Sequence, residues 1–529
     1  MDIFVIMKKL PISIQTFKEI ISRGLIYVDK TRYIWELTQK GKYYFFSRPR
    51  RFGKSLLITT LKSFFKGRKD LFEGLFIYEK EKEWKKHPVI HIDYSLVEYM
   101  KSRDIFDESL LNHLNDIASD YGIKLQKTII ADAFTELVKT LHEKHGQVVV
   151  LVDEYDKAMV DTLTDETRFK ENREVLRGLY GAMKALDEYF RFVLLTGVSR
   201  FAKVNVFSGM NNLKDISMSG QFSNVAGFSQ DELEEYFGEY LETVCKKFNT
   251  SMPVLLEEVK TKYNGFSWNG VDKLYNPFSI FNFLIDKEFG NFWFSSGTPT
   301  FLIKLLNQKK QLPEALENAI ATDLEGGTTQ IKNLPVLPLL FQTGYLTIKK
   351  IEYEGFKRHF VLDYPNDEVR ESFIRYIAAD FVGKEQHEIQ PEAFHLRETL
   401  REERFDDFIT ILQSFLADIP SRLHLPKEAY YHSLVYMMLR LVGVQLLLEK
   451  ETDKGRIDAV LELPDKVYII EFKFGTEKKI KRVKTLSRQA IQQIEKRKYF
   501  EPYLASGKKI LLFGVGYLDK QLDGRVKVL

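Results

Sequence analysis

The chain has 529 residues, 44% hydrophobic and 29% charged, the balance of an ordinary globular protein with apolar material for about three domains. The net charge is only +4, so overall charge singles out no partner. A single cysteine, Cys245, excludes an internal disulfide and a cysteine-based metal cluster and suits a reducing cytoplasm.

The apolar run Ile3-Phe4-Val5-Ile6-Met7 precedes Lys8-Lys9. It is too short for a signal peptide, and its charges lie on the wrong side. No apolar run approaches the roughly 18 residues of a membrane span, so the expectation is a cytoplasmic protein that engages no membrane. Residues 10–40 read as one or two helices. Tyr43-Tyr44-Phe45-Phe46 then reads as a buried strand, and Leu56, Leu57, Ile58, Leu61, Phe64 and Phe65 fall at helical spacing.

Between them lies Ser47-Arg48-Pro49-Arg50-Arg51-Phe52-Gly53-Lys54-Ser55. Strand, Gly-Lys-Ser loop and helix make the context of a P-loop, in which backbone N–H groups and a helix N-terminus face phosphate oxygens. Arg51, Phe52, Gly53, Lys54 and Ser55 become the candidate ATP-binding residues. Lys54 would reach the β and γ phosphates, and Ser55 would ligate Mg2+. Arg48 stands where the usual pattern has its first glycine, and an ordinary basic strand-to-helix turn would also fit these residues alone.

Pro88-Val89-Ile90-His91-Ile92-Asp93 is another candidate strand, and residues 105–145 are largely helical by periodicity. The run Val148-Val149-Val150-Leu151-Val152 ends in Asp153-Glu154. Two acids closing a buried strand belong at the end of an α/β sheet where ligands bind. Asp153 is the Mg2+-holding candidate, and Glu154 the base that orients and deprotonates water. A solvated strand end is the plain alternative.

A helix is expected over 173–186, then a strand from Phe192 to Arg200. Its polar end, Thr196, Ser199 and Arg200, is a candidate γ-phosphate sensor or an ordinary polar loop. Asp215-Ile216-Ser217-Met218 is the expected last strand. Strands alternating with helices predict a parallel sheet covered on both faces.

Ser229-Gln230-Asp231-Glu232 is a capping-box pattern. Helices and turns continue to about residue 400, with turns at Asn264-Gly265, Asn269-Gly270 and Asn276-Pro277 and short strands expected at 341–348 and 360–362. No catalytic constellation stands out there. Residues 1–225 are thus expected to form the nucleotide-binding domain and 226–400 a mostly helical lid or linker.

Residues 10–365 resemble a bacterial and archaeal family of AAA-ATPase-like P-loop proteins. The resemblance rests on Arg48–Ser55, Asp153-Glu-Tyr-Asp156, the segment 207–215, Tyr275-Asn-Pro-Phe278 and Gln342-Thr-Gly-Tyr-Leu346. It implies that arginine in place of the first glycine is that family's usual form. It also implies that a PD-(D/E)XK nuclease-like domain commonly follows.

Near the C-terminus, Arg456-Ile-Asp-Ala-Val-Leu-Glu462 and Val467-Tyr-Ile-Ile-Glu-Phe-Lys473 alternate as strands around a Pro464-Asp465 turn. Folding about that turn opposes Asp458 to Glu471, with Lys473 on the same face. Facing carboxylates repel unless a cation lies between them. Asp458, Glu471 and a carbonyl near Phe472 suit Mg2+, and Lys473 suits activating water against a phosphodiester. Asp…Glu-x-Lys is the signature of the PD-(D/E)XK nuclease superfamily, so residues 401–529 are expected to form an α/β nuclease-like domain. An exposed hairpin face with an ordinary Glu-Lys pair is the plain alternative.

Gln493 and Tyr499 resemble residues near that family's active site, and Glu428 is the candidate first acid. Residues 474–509 hold eleven Lys or Arg and three Asp or Glu, a local charge suited to a DNA backbone. The whole reads as an ATPase fused to a Mg2+-dependent DNase, with ATP, Mg2+ and DNA as cofactors and partner. The rival is a nucleotide-switched binding protein whose nuclease fold does not cut. A homo-oligomer is possible, with Arg50, Arg51 or Arg200 reaching a neighbour's nucleotide.

Overall fold

Five strands rich in aromatic and β-branched residues build the first sheet: β1 (Tyr43–Ser47), β2 (Val89–Asp93), β3 (Val148–Asp153), β4 (Phe190–Gly197) and β5 (Lys214–Asp215). β1, β3 and most of β4 are buried on both faces, as expected of parallel strands covered by helices. The sheet is parallel throughout, in the order β2-β3-β4-β1-β5. β4 therefore lies between the strand that leads into the P-loop and the strand that ends in Asp153.

This computed structural model describes residues 7–200, 212–296, 302–303, 305–306, 313–325, 335–382, 385–417, 436–438, 440, 445–452, 455–475, 482–518 and 521–529. The chain folds as two compact units, Met1–Leu302 with Leu316–Val369, and Ile303–Ala315 with Arg370–Leu529.

The first unit holds two large cores. One packs the helix Lys54–Phe65 against the sheet through Leu57, Ile58, Leu61 and Phe65. The other joins Leu10, Ile26 and Val28 to the helices Gln230–Phe248, Met252–Tyr263 and Pro277–Asp286. The first of these helices opens on a complete capping box between Ser229 and Glu232.

Three expectations are corrected in detail. The segment 341–348 is not one strand: a buried helix, Val336–Thr343, ends at Gly344, and β7 begins at Thr347. Val336-Leu-Pro-Leu-Leu-Phe is apolar on all sides, so periodicity does not separate helix from strand there. β5 stops at Asp215 because the Asp215 carboxylate accepts from Ser217 N–H at 2.9 Å and turns the chain. The helix expected from 173 starts at Glu166, capped by Asp165.

A small antiparallel sheet completes this unit, with β6 (Ala319–Ala321), β7 (Thr347–Glu354) and β8 (Lys357–Asp363) in the order β6-β8-β7. The second unit carries β9 (Gln445–Thr452), β10 (Gly455–Glu462), β11 (Lys466–Gly475), β12 (Lys509–Leu518) and β13 (Gln521–Val528), in the order β13-β12-β11-β10-β9. Only β11 and β12 run parallel, and the helix Val483–Arg497 connects them, because a parallel pair needs a crossover. Among the described residues, no helix is long and apolar enough to cross a membrane.

Candidate functional site

The P-loop leaves β1 at Ser47 and enters its helix at Lys54. Gly53, at φ 92°, is the left-handed residue immediately before the helix, a conformation glycine adopts without steric cost. Lys54 is buried, and its ammonium donates to the Arg48 and Pro49 carbonyls, each at 2.9 Å. Burial lowers its pKa, while Asp153, Glu154 and Asp156 pull it back up. The acids that close β3 thus share one electrostatic site with the P-loop lysine.

Arg48 explains its own presence. Its side chain is fully buried and donates to the carbonyls of Ser47, Ser217 and Ser223 at 2.9, 2.7 and 3.1 Å. The guanidinium stands over Trp268 at 3.9 Å from the ring centre and over Phe46 at 4.6 Å. Burial pulls its pKa down to about 9. A glycine here would remove the side-chain bonds that tie the P-loop to the Ser217 and Ser223 carbonyls.

The outer side of the loop is held from far away in sequence. The Arg50 carbonyl accepts from Asn276 at 3.4 Å and from the Trp293 indole at 3.1 Å. A Cβ on Gly344 (φ 90°) would sit 2.7 Å from the Pro49 ring, so only glycine lets the loop come this close. Arg51 lies over the Phe278 ring at 4.9 Å.

At the end of β3, Asp153 accepts from the Thr196 hydroxyl at 2.6 Å and from Glu154 N–H at 3.0 Å. Glu154 is held at φ 53°, an uncommon conformation for a non-glycine residue. Its carboxylate pairs with Lys157 at 3.3 Å. Asp156 is buried and accepts from the N–H groups of Val198 and Ser199 and from the Ser199 hydroxyl. Burial raises its pKa.

A cavity of about 430 Å³ lies beside the P-loop. Gly53, Lys54, Ser55, Glu154 and Lys157 line it together with the apolar Val28, Phe278 and Phe281. A few polar groups in an otherwise apolar pocket suit a ligand that carries both charge and a flat ring.

In the second unit the β10–β11 ladder runs from Glu462↔Val467 to Ala459↔Ile470. One more step sets Asp458 opposite Glu471, and the Asp458 carboxylate accepts from Phe472 N–H at 2.8 Å. Glu471 is almost wholly buried. Its Oε1 receives the Lys473 ammonium at 2.9 Å and the Gln493 amide, while its Oε2 is buried with no hydrogen-bond partner. Burial, then the nearby Asp458 charge, push the Glu471 carboxyl up to about 7. An orphaned carboxylate oxygen beside a second carboxylate fits a divalent cation.

Residues 11–207 match the family described as predicted AAA-ATPase. Residues 426–523 match the PD-(D/E)XK nuclease superfamily. An uncharacterized protein of the vnfD 5' region of Azotobacter chroococcum mcd 1 is 34% identical over 517 residues, covering 96% of each chain. The chain belongs to the AAA-ATPase-like family. Its C-terminal part is a PD-(D/E)XK nuclease superfamily domain.

In this AAA-ATPase-like chain the end of β4 is already occupied. Thr196 is bonded to Asp153 and Ser199 to Asp156. Arg200 is buried against Asp215 at 2.9 Å and Glu325 at 2.8 Å. Its N–H donates to Gln342 Oε1, whose amide nitrogen donates to the carbonyls of Leu324 and Glu325. These bonds hold Ser199 and Arg200 in place just beyond β4.

Tyr499 is buried in a core with Ile457, Val460, Ile469 and Ile494. Glu428, Lys478, Lys479 and Lys481 lie outside the described residues. Of the basic run, Arg482, Lys484 and Arg488 are exposed. Among the described residues, no group of three His, Cys, Asp or Glu side chains is placed to share a metal ion. Sequence reasoning gives no role to Asn276, Trp293 or Gln342. Asn before Pro at a helix start marks a helix cap, and this is the one local signal. Trp293 and Gln342 reach their partners across long sequence separations that leave no pattern.

Proposed function

We propose that this chain hydrolyses ATP at the P-loop and that its C-terminal domain is a Mg2+-dependent DNA endonuclease, acting in the cytoplasm. The observation that carries the first half is that Lys54, Ser55 and Glu154 line one cavity, with the Asp153 charge acting on the Lys54 ammonium beside it. Lys54 binds the β and γ phosphates in exchange for its two carbonyl partners. Ser55 and Asp153 are the residues to hold Mg2+. Glu154 swings from Lys157 to take the proton of the attacking water.

The second half rests on the buried, partly unpaired Glu471 facing Asp458. Those two carboxylates and the Phe472 carbonyl are the groups to hold the divalent ion. When bound, that ion neutralises phosphate charge and acidifies water. Lys473 orients the water, and Gln493 fixes the Glu471 carboxylate. Arg482, Lys484 and Arg488 meet the phosphate backbone.

The alternative, a nucleotide-switched binder that does not cut, has one observation in its favour: Glu471 Oε1 is already engaged by Lys473 and Gln493. Supercoiled plasmid incubated with Mg2+, with and without ATP, separates the readings. Nicking by the wild type that Asp458→Ala abolishes supports the nuclease, and no nicking on any DNA form sinks it. If ATP turnover controls access to, or assembly of, the nuclease, Lys54→Ala tests that coupling: it should lower nicking while the Asp458 hairpin stays folded. Equal nicking with and without ATP removes the coupling.

A further inference from the structure

The β7–β8 hairpin is buried at its root and bare at its tip. Ile348, Phe360, Val361 and Leu362 are in the core. Every residue from Glu352 to Arg358 is exposed. The turn is Gly355-Phe356, closed by the Glu354↔Lys357 pair, with Tyr353 directly opposite Arg358 in the next pair. Phe356 is 107% exposed and Tyr353 69%, so the tip carries two bare rings and no apolar surface beneath them.

The charges around the rings are unevenly paired. Glu352 is bonded to Lys350 at 2.6 Å, and Glu354 lies 3.3 Å from His359. Glu352 is therefore paired on its own strand, whereas Glu354 faces Lys357 across the hairpin and has an ionic partner in His359 only when that ring is protonated. Lys357 and Arg358 have no ion pair among the described residues, and Arg358 lies over the Phe360 ring at 5.5 Å. Directly opposed side chains share a face of the hairpin, so Tyr353 and Arg358 form one platform, with Phe356 in the turn at its end and Lys357 opposed to Glu354 on the other face.

We propose that this hairpin tip is a contact for single-stranded DNA, in which Phe356 and Tyr353 stack on unpaired bases and Lys357 and Arg358 meet the backbone. It rests on the reading that the chain acts on DNA. Rings flanked by cations suit single strands because every base offers a π-face, whereas bases inside a duplex are already stacked. A lipid surface fits less well. Membrane-lying elements present a broad apolar face, and here every exposed tip position other than the two rings is charged or glycine.

The test uses the full-length chain in EDTA, with a mixed-sequence single-stranded oligonucleotide read by fluorescence anisotropy. The Tyr353→Ala/Phe356→Ala variant should bind it roughly ten- to hundred-fold more weakly, and Phe356→Trp should keep the affinity. Affinity for the blunt duplex should change little. Lys357→Gln/Arg358→Gln should flatten the log–log salt dependence by about 0.7 per cation removed. A 2-aminopurine base in the strand should be quenched by the wild type and not by the double aromatic variant. Unchanged ATP turnover shows that each variant is folded.

No binding of single strands by the wild type overturns the proposal. So does wild-type affinity in the double aromatic variant, or a loss confined to phosphatidylserine vesicles. Plasmid nicking with Mg2+ is scored separately against Asp458→Ala. Nicking with no tip effect sinks only the hairpin contact, and a tip effect without nicking sinks only the nuclease.

Discussion

The Arg48 guanidinium stands 3.9 Å from the centre of the Trp268 ring, so the residue that departs from the usual P-loop pattern is a buried clamp. Restoring the glycine should therefore harm the protein. Arg48→Gly removes three hydrogen bonds to carbonyls and two cation–π contacts, and weakens the bonding of buried carbonyls. A loss on the order of 3 kcal/mol is expected in urea unfolding, with weakened ATP binding. Wild-type stability in Arg48→Gly would contradict the clamp.

Glu154 and Lys157 form a pair in which each side chain is about a third exposed, 36% and 28%. Such a pair adds little stability, below about 1 kcal/mol. Lys157→Ala should leave the melting temperature nearly unchanged. Glu154→Gln should cut ATP turnover by roughly 10²- to 10⁴-fold while keeping nucleotide affinity. Turnover near wild type in Glu154→Gln would assign the water-activating base elsewhere.

Glu368 is fully buried, and accepts from the Ser279 hydroxyl and Trp293 N–H, each at 2.8 Å. Burial nevertheless raises its carboxyl to about 7 from an ordinary 4.5. The folded state then binds the proton more tightly than the unfolded chain does. Stability contributed by the protonated form is present below about pH 4.5 and is lost as pH rises through about 7, a change of roughly 3 kcal/mol for this one group. Glu368→Gln should flatten that part of the pH–stability curve. An unchanged slope in thermal unfolding across this window would show that the carboxyl is not what titrates.

Among the described residues, Gln493 reaches the Asp458–Glu471 pair through Glu471 Oε1. Gln493→Ala should leave the hairpin folded but raise the Mg2+ concentration needed for nicking by about tenfold or more, as removal of a ligand's supporting bond does. Saturating Mg2+ should restore most of the rate, and Gln493→Asn should fall short because its side chain is one methylene shorter. If Mg2+ dependence is unaltered in Gln493→Ala, the glutamine does not support the metal-binding carboxylate.

The α/β class and the P-loop and strand end that carry Lys54 and Asp153 are readable because local patterns carry them. β1 and β3 are continuous buried runs, and the acids fall where β3 meets the sheet edge. The hairpin register is readable because Pro464-Asp465 fixes the turn and the period of two does the rest. The segment 341–348 misleads because a helix apolar all round gives the same signal as a buried strand. Nothing local announces that Trp293 and Asn276 bind the Arg50 carbonyl or that Gln342 holds Arg200. These are bonds between segments separated by more than a hundred residues.

The P-loop's attachments have a practical corollary for anyone cutting this gene into expressible pieces. A truncation placed just after the parallel sheet would discard Trp268, Asn276, Trp293 and Gly344 together. The remaining fragment would keep Arg48–Ser55 and Asp153–Asp156 yet strand a buried guanidinium and a lone carbonyl at the lip of its P-loop. A fragment extended through Val369 retains all of those anchors.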